Sequence, residues 1–449
     1  MRTQKSEVKK IPNTKLAKSE LGLTAITIEG FKSIRERRTM PLAALNIIAG
    51  ANSSGKSSFM QPLLLLKQTL EASYDPGPLL INGPNVQFTE LNQFFAKGLG
   101  SVAECLIIGF SFTGGRNFEI HVGYDQKNNL VLQKNLERRN GKEFAIAPNS
   151  NAADMAAWFE SDIFTELKNH FGKDRISLIR DRAFIELGVS MEGRESLRLG
   201  GFASLPSQKT QRLGLNILHV PGLRGHPDRR YQNSAVGTVF PGRMDSYVAS
   251  IIAEWQEKKD VRLGKLEVYL KQLGLTWKVQ ADKVDATSVE LKVGRLPAPQ
   301  KNGARDLVSI ADVGFGVSQV LPVLVALLVA RPGQLVYIEQ PEIHLHPKAQ
   351  RALAHIFADA IQRGSQVVVE THSALFLREI QTLVAKGSVD KSLVKLHWVT
   401  RNINGDTDLQ TCDLDDAGAY GDWPQDFDET ESQAATDYYE AAEAVLLKS

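Results

Sequence analysis

The sequence predicts an α/β fold: a mixed, mostly parallel sheet flanked by helices, with an inserted α+β lobe in the middle of the chain. Three observations carry this reading. Residues 45–49 (LNIIA) are a short apolar run that passes through a glycine-bounded loop into a leucine-rich helical stretch. Residues 334–338 (QLVYI), 366–369 (QVVV) and 393–399 are further apolar strands separated by helical stretches, the pattern of strands covered on both faces. Between residues 80 and 300 the pattern is mixed, with short alternating runs and two helical segments.

Taken in order, residues 1–22 form a basic stretch expected to be a flexible tail, with Arg2, Lys5, Lys9, Lys10, Lys15 and Lys18 against Glu7 and Glu20. Residues 23–100 make the first half of the α/β unit, beginning with the alternating run LTAITI at 23–28. The lobe occupies 101–300, with strand-like runs at 103–112, 118–124 and 182–190 and helical segments near 154–170 and 246–273. Residues 301–400 return to buried α/β character, including an apolar helix at 317–329 and another at 348–361. An acidic region, 401–449, closes the chain.

Composition narrows the function classes. The 449 residues are 43% apolar and 23% charged, ordinary for a globular protein, and the formal charge of +2 gives no strong global attraction to nucleic acid or membrane. Only Cys105 and Cys412 occur, without the spacing of a zinc site, which suggests a reducing, cytoplasmic setting. The longest apolar stretch, residues 320–330, is too short to cross a bilayer, and the basic N-terminus lacks the apolar core of a signal peptide.

Residues 50–57, GANSSGKS, fit the phosphate-loop pattern G-x-x-x-x-G-K-[ST] in full. Glycine lets the backbone curl closely around phosphate oxygens, so that the amides of Asn52, Ser53, Ser54, Gly55, Lys56, Ser57 and Ser58 are placed to meet ATP. Lys56 is expected on the β/γ-phosphates and Ser57 on Mg²⁺, with a helix beginning near Lys56 directing its positive end at the same anion. The strand at 334–338 ends in carboxylates, as a Walker B strand does, and Glu339 is the acid expected at the Mg²⁺ shell. After the next apolar strand comes ETHS, where His372 is positioned to hydrogen-bond a γ-phosphate.

FKS (31–33), GANSSGKSS, EQPEIHLHP (339–347) and ETHS (370–373) together resemble the ABC-type ATPases of the SMC/RecF/OLD branch, compact bacterial proteins often described as AAA family ATPases. The acidic DWPQDF stretch at 422–427 resembles the DUF3696 region found at the end of some of them. The resemblance covers roughly residues 23–75 and 305–430 and implies an ATPase head, its N-terminal half at 23–100, its C-terminal half at 301–400 and the lobe completing it. It also implies that two heads sandwich two nucleotides, each site completed by a signature loop from the partner copy. Here that loop is DVGFGVSQ (312–319), with Gly314, Gly316 and Ser318 as the contacts. A homodimer or higher homo-oligomer follows.

The chain departs from the family at the catalytic position. Where the pattern most often reads D-E-P, this sequence has Glu339-Gln340-Pro341. A carboxamide orients water but accepts a proton far less readily than a carboxylate. Phosphoryl transfer depends mainly on positioning and charge stabilisation, so slow hydrolysis is expected, with Glu342 as a substitute source of charge.

Other clusters are weighed against plainer roles. Arg224, His226, Arg229, Arg230 and Tyr231, and separately Arg175, Arg180 and Arg182, are basic loops with the residue types that contact nucleic acid. Asp413, Asp415 and Asp416 read as a solvated face, and His344 and His346 as part of the loop after Walker B. Too little chain follows His372 for a TOPRIM nuclease. The family setting implies control of a separately encoded effector, a nuclease or toxin, in bacterial anti-phage defence, with no membrane partner. The alternatives are a RecF/SMC-like repair ATPase that binds DNA and a largely non-hydrolysing, ATP-gated scaffold.

Overall fold

A strand covered on both faces has to be apolar almost throughout, and in Leu45–Ala49 every residue is buried. The one polar member, Asn46, is satisfied: its amide donates to Ala43 O and Val367 O, and its carbonyl accepts from Ala43 N. In the computed structural model, which describes residues 22–98, 101–159, 161–172, 175–191, 194–198, 217–234, 237, 239–296, 298, 306–421 and 436, this strand lies inside a six-stranded sheet. The spatial order is Leu218–Val220, Leu335–Glu339, Gln366–Glu370, Leu45–Ala49, Val394–Arg401, Thr407–Asp413. The first five strands run parallel and the last turns back antiparallel at the edge.

Successive side chains on these strands divide between two cores. Leu45, Ile47, Val336, Ile338, Val367, Val369, Leu396 and Trp398 face helices Val248–Glu257, Phe315–Val329, Pro347–Gln362 and Ala374–Ala385. Ile48, Leu335, Tyr337, Val368 and Val399 face the other way, onto helix Gln61–Glu71 and a second sheet. That second sheet is antiparallel, with strands in the order Arg38–Pro41, Leu23–Glu29, Cys105–Phe112, Asn117–Tyr124, Leu130–Arg139, Lys142–Ile146.

Strands drawn from 101–300 therefore enter both layers. Residues 105–146 extend the sheet begun by Leu23–Glu29, and Leu218–Val220 forms an edge of the parallel sheet. A three-stranded antiparallel unit, Ile176–Asp181, Phe184–Met191 and Arg194–Arg198, docks on the antiparallel sheet. Buried Asn135 donates to Ala183 O and accepts from Ile185 N there. A small sheet of Tyr231–Gln232, Val279–Lys283, Ser288–Gly294 and Leu307–Ser309 lies beside helix Val248–Glu257.

Of the expected basic tail, residues 1–22, all but Gly22 lie outside the described residues, as does the DWPQDF stretch. Among the described residues, no helix is long and apolar enough to cross a membrane.

Candidate functional site

The phosphate loop leaves the carboxyl end of Leu45–Ala49. Its two glycines are required by both conformation and space. Gly50 has φ 147° and a Cβ there would sit 2.2 Å from Val399 O; Gly55 has φ 103° and its Cβ would sit 2.2 Å from Thr407 Oγ1. Ser53 also adopts a positive φ, 61°, without being glycine. Beyond the loop, Lys56–Phe59 form a 3₁₀ turn, and the α-helix proper starts at Gln61 rather than near Lys56. Pro62 explains this start: its ring is accepted in a first helical turn, where its missing N–H has no partner to lose.

Two groups absent from the expected site brace this loop. Thr407 Oγ1 donates to Ser54 O at 3.0 Å, and lies 2.6 Å from Ser33 Oγ. The Thr407 amide in turn donates to Ser33 O at 2.6 Å. Ser33 belongs to the FKS motif, but nothing in the sequence signals Thr407, which stands on the antiparallel edge strand.

Lys56 is buried, and its ammonium donates to Gly50 O at 2.9 Å and Ala51 O at 2.7 Å. Burial holds its pKa below the ordinary lysine range, with Glu370 partly offsetting that shift. Ser54 and Ser58 are buried, and Ser54 Oγ has no partner. Asn52 and Ser53 are exposed at the rim. Ser57 Oγ donates to Glu370 Oε2 at 2.8 Å.

Glu370 is the residue whose part the sequence did not disclose. It ends Gln366–Glu370, is buried, and accepts a second hydrogen bond from the hydroxyl of wholly buried Tyr337. Burial, and then the negative charge of Glu339, push its pKa up to about 7. Glu339, expected at the metal shell, is its register partner on the next strand. Its carboxylate is engaged elsewhere: His219 Nε2 donates to Oε1 at 3.1 Å and Gly222 N to Oε2 at 3.0 Å. Burial alone would raise the Glu339 pKa; His219, the Gly222 amide and the Tyr337 hydroxyl together outweigh it and leave the value lowered.

Gln340 follows with φ 43°, a strained conformation for a non-glycine residue. Its N–H donates to Glu370 O at 2.8 Å, and its carbonyl accepts from Arg224 Nη2 at 2.8 Å. Glu342 Oε1 accepts from His372 N at 2.7 Å, fixing the turn after Glu370, while its Oε2 is buried without a hydrogen-bond partner and burial pushes its pKa up. The His372 ring is exposed, and burial and then the charge of Lys56 lower its pKa, which puts the ring within electrostatic reach of the phosphate loop.

The signature-like loop caps helix Phe315–Val329. Gly314 is its exposed N-cap, Ser318 Oγ donates to Phe315 O, and a Cβ on Gly316 would stand 3.3 Å from His344 O. This loop therefore abuts the segment after Gln340.

Several arginines of the basic loops have partners within the chain. Arg224 is buried and not a free cation for nucleic acid: Nε donates to Pro221 O, Nη1 to Gln319 O and Nη2 to Glu339 O and Gln340 O. Burial pushes its pKa down to about 10. Arg229 pairs with Asp312, Arg180 forms a bidentate pair with Asp75, and Arg182 donates to Ala72 O. Asp413 and Asp416 pair with Lys395 and Lys391, while Asp415 closes a turn by accepting from Ala417 and Ala419 amides. His346 caps helix Pro347–Gln362, and the His344 ring lies 5.6 Å from that of Phe315.

Among the described residues no group of three or more His, Cys, Asp or Glu is placed to hold a metal. A magnesium bound with a nucleotide needs few protein ligands, because phosphates and waters supply the rest. The hard oxygen donors of Ser57 and Glu370, the glycine-shaped cradle and the unpartnered Ser54 hydroxyl suit magnesium and a polyphosphate.

Residues 215–378 match the family model described as "AAA domain, putative AbiEii toxin, Type IV TA system". The matched stretch includes both acid-bearing strands and His372. Among solved structures, the chain is similar to the SmcHead bound to the C-winged helix domain of ScpA, with 13% identity over 88% of this chain and 99% of that one, at a TM-score of 0.47. The SMC head domain from Thermotoga maritima gives 11% identity over 87% and 98% of the two chains, at 0.39. The Smc head domain with a coiled coil and joint derived from Pyrococcus yayanosii gives 12% over 88% and 98%, at 0.44. No curated protein matches the chain.

Proposed function

We propose that the chain binds ATP with Mg²⁺ at the loop 50–57 and hydrolyses it slowly, and that ATP-dependent pairing of two copies controls a separate effector protein. The observation that carries this reading is the buried Lys56 ammonium, held by two loop carbonyls beside Ser57 at the carboxyl edge of a parallel sheet. A polyphosphate offers that ammonium stronger, charge-assisted partners than two carbonyls do. Magnesium supplies neutralisation of the developing phosphate charge; the chain supplies the cradle, the Ser57 hydroxyl and the Gln340 amide that orients water.

Pairing of two copies is supported by the family resemblance and by the signature-like loop, whose Gly314 is exposed at the N-cap of helix Phe315–Val329. Anti-phage defence is supported by the family resemblance and by the matched model, whose description names a toxin. The test is light scattering with and without ATP, together with phosphate release. ATP should shift the protein from one copy to two, and turnover should stay well below about 10 s⁻¹. A monomer at saturating ATP contradicts the pairing.

One observation favours the scaffold reading as a second possibility: position 340 carries an amide, a far poorer proton acceptor than a carboxylate. Retained ATP-driven pairing with no phosphate release selects it. DNA binding has less support, because Arg224, Arg229, Arg180 and Arg182 all have partners within the chain.

A further inference from the structure

Resting on the nucleotide reading above, we infer that Glu370, and not Glu339, is the acid that faces magnesium beside Ser57. The strand order gives the first argument. Gln366–Glu370 lies between Leu335–Glu339 and the loop strand Leu45–Ala49. Glu370 pairs directly with Ile48, whereas Glu339 pairs with Glu370. Neighbouring strands are about 4.8 Å apart, so a carboxylate on the outer strand starts one full strand spacing farther from the loop.

The side-chain contacts give the second argument. Ser57 Oγ, the expected metal ligand of the loop, already donates to Glu370 Oε2 at 2.8 Å. Replacing that proton contact by a divalent cation leaves both oxygens where a hard metal needs them. The hydroxyl of Tyr337 fixes the other carboxylate oxygen and keeps it from rotating away.

The engagement of Glu339 gives the third. Both of its oxygens are taken by the 219–222 segment, one by His219 and one by the Gly222 amide. His219 is itself fixed: it is 2% exposed, stacks on Tyr337 at 5.4 Å between ring centroids, and lies 3.1 Å from the Asn85 side chain. Any Cβ on Gly222 would stand 3.4 Å from Glu339 Oε2, so the segment is seated on that carboxylate. Glu339 is thus a positioning residue that ties the 219–224 loop, with Arg224, to the turn at Gln340.

The experiment uses the full chain, ATP, and Mn²⁺ as a paramagnetic stand-in for magnesium, read by electron paramagnetic resonance, with ATP affinity measured separately in chelator. Glu370→Gln should weaken Mn²⁺ binding to the ATP-loaded protein by about tenfold or more, while ATP affinity in chelator is retained. Glu339→Gln should leave Mn²⁺ affinity near wild type. Glu370→Asp, which keeps the charge on a shorter arm, should fall between wild type and Glu370→Gln and covers the case in which Glu370→Gln does not fold. The reverse pattern, with Glu339→Gln losing Mn²⁺ and both Glu370 variants at wild-type affinity, overturns the assignment and leaves ATP binding intact. A wild-type chain that binds no ATP with or without metal removes the nucleotide reading and this assignment with it.

Discussion

Glu339 and Glu370 are register partners at the ends of adjacent parallel strands, yet their carboxylates turn to different neighbours: Glu339 to His219 and Gly222, Glu370 to Ser57 and Tyr337. Two acids side by side repel, and the charge of Glu339 helps to push the Glu370 pKa up; the donors around each, with the Tyr337 hydroxyl between them, allow both to stay at one sheet edge. The outer acid orders the turn that carries Gln340, and the inner one meets the phosphate loop.

Gln340 stands where the family pattern that this sequence resembles most often has a glutamate, and its backbone is fixed by Arg224 and by Glu370 O. Gln340→Glu changes the proton acceptor without altering that backbone. Phosphate release should rise by about tenfold or more. An unchanged rate would mean that proton abstraction does not limit turnover.

Thr407 braces the loop from the edge strand through Ser54 O and Ser33. Thr407→Val keeps the shape and removes the hydroxyl. Loss of one such bond costs about 1 kcal/mol, which corresponds to roughly fivefold weaker ATP binding if the brace preorganises the loop. Titration calorimetry of the variant reads this directly, and wild-type affinity would assign Thr407 to folding alone.

Arg224 satisfies carbonyls from Pro221, Gln319, Glu339 and Gln340 inside the fold. Arg224→Met leaves them unpaired, and the expected loss of stability is about 3 kcal/mol, seen as a lower denaturant midpoint at unchanged slope. The same variant should leave any salt-dependent DNA binding unaltered. A drop in DNA affinity with normal stability would return Arg224 to the role that its loop sequence suggests.

His397 is fully buried on Val394–Arg401, with Nδ1 3.0 Å from Thr411 Oγ1. Burial, and then the charge of Lys395, bring its pKa down to about 3. The unfolded chain titrates near 6.5, so the stabilisation is fully present above about pH 6.5. Below that, the unfolded state takes up a proton that the folded state refuses, and stability falls by about 1.4 kcal/mol per pH unit until the folded value is reached. His397→Asn should flatten the pH dependence of unfolding free energy between pH 6 and 4 by about that slope; an unchanged slope contradicts the buried neutral state.

How much of this was readable from the chain varies with the range of the interaction. The strand of residues 45–49, the loop and helix 317–329 announce themselves because local periodicity and glycine placement are properties of neighbouring residues. Observed bounds differ from the expected ones by a few residues. Glu370 stood in plain view within ETHS, but its part depends on its strand lying between two others, and spatial strand order is not a local property. The Ser33–Thr407 contact joins positions 374 apart. Arg224 looked like a surface cation because loop arginines mostly are; its burial follows from four carbonyls that converge only after the 219–224 loop docks.

The most direct measurement of the central claim is ATP affinity, in the presence of Mg²⁺, of the wild-type chain against Lys56→Ala. The wild type should bind ATP, and Lys56→Ala, which removes the buried ammonium from Gly50 O and Ala51 O, should lose at least about tenfold in affinity with its fold intact. Equal affinity in the two proteins would contradict the account.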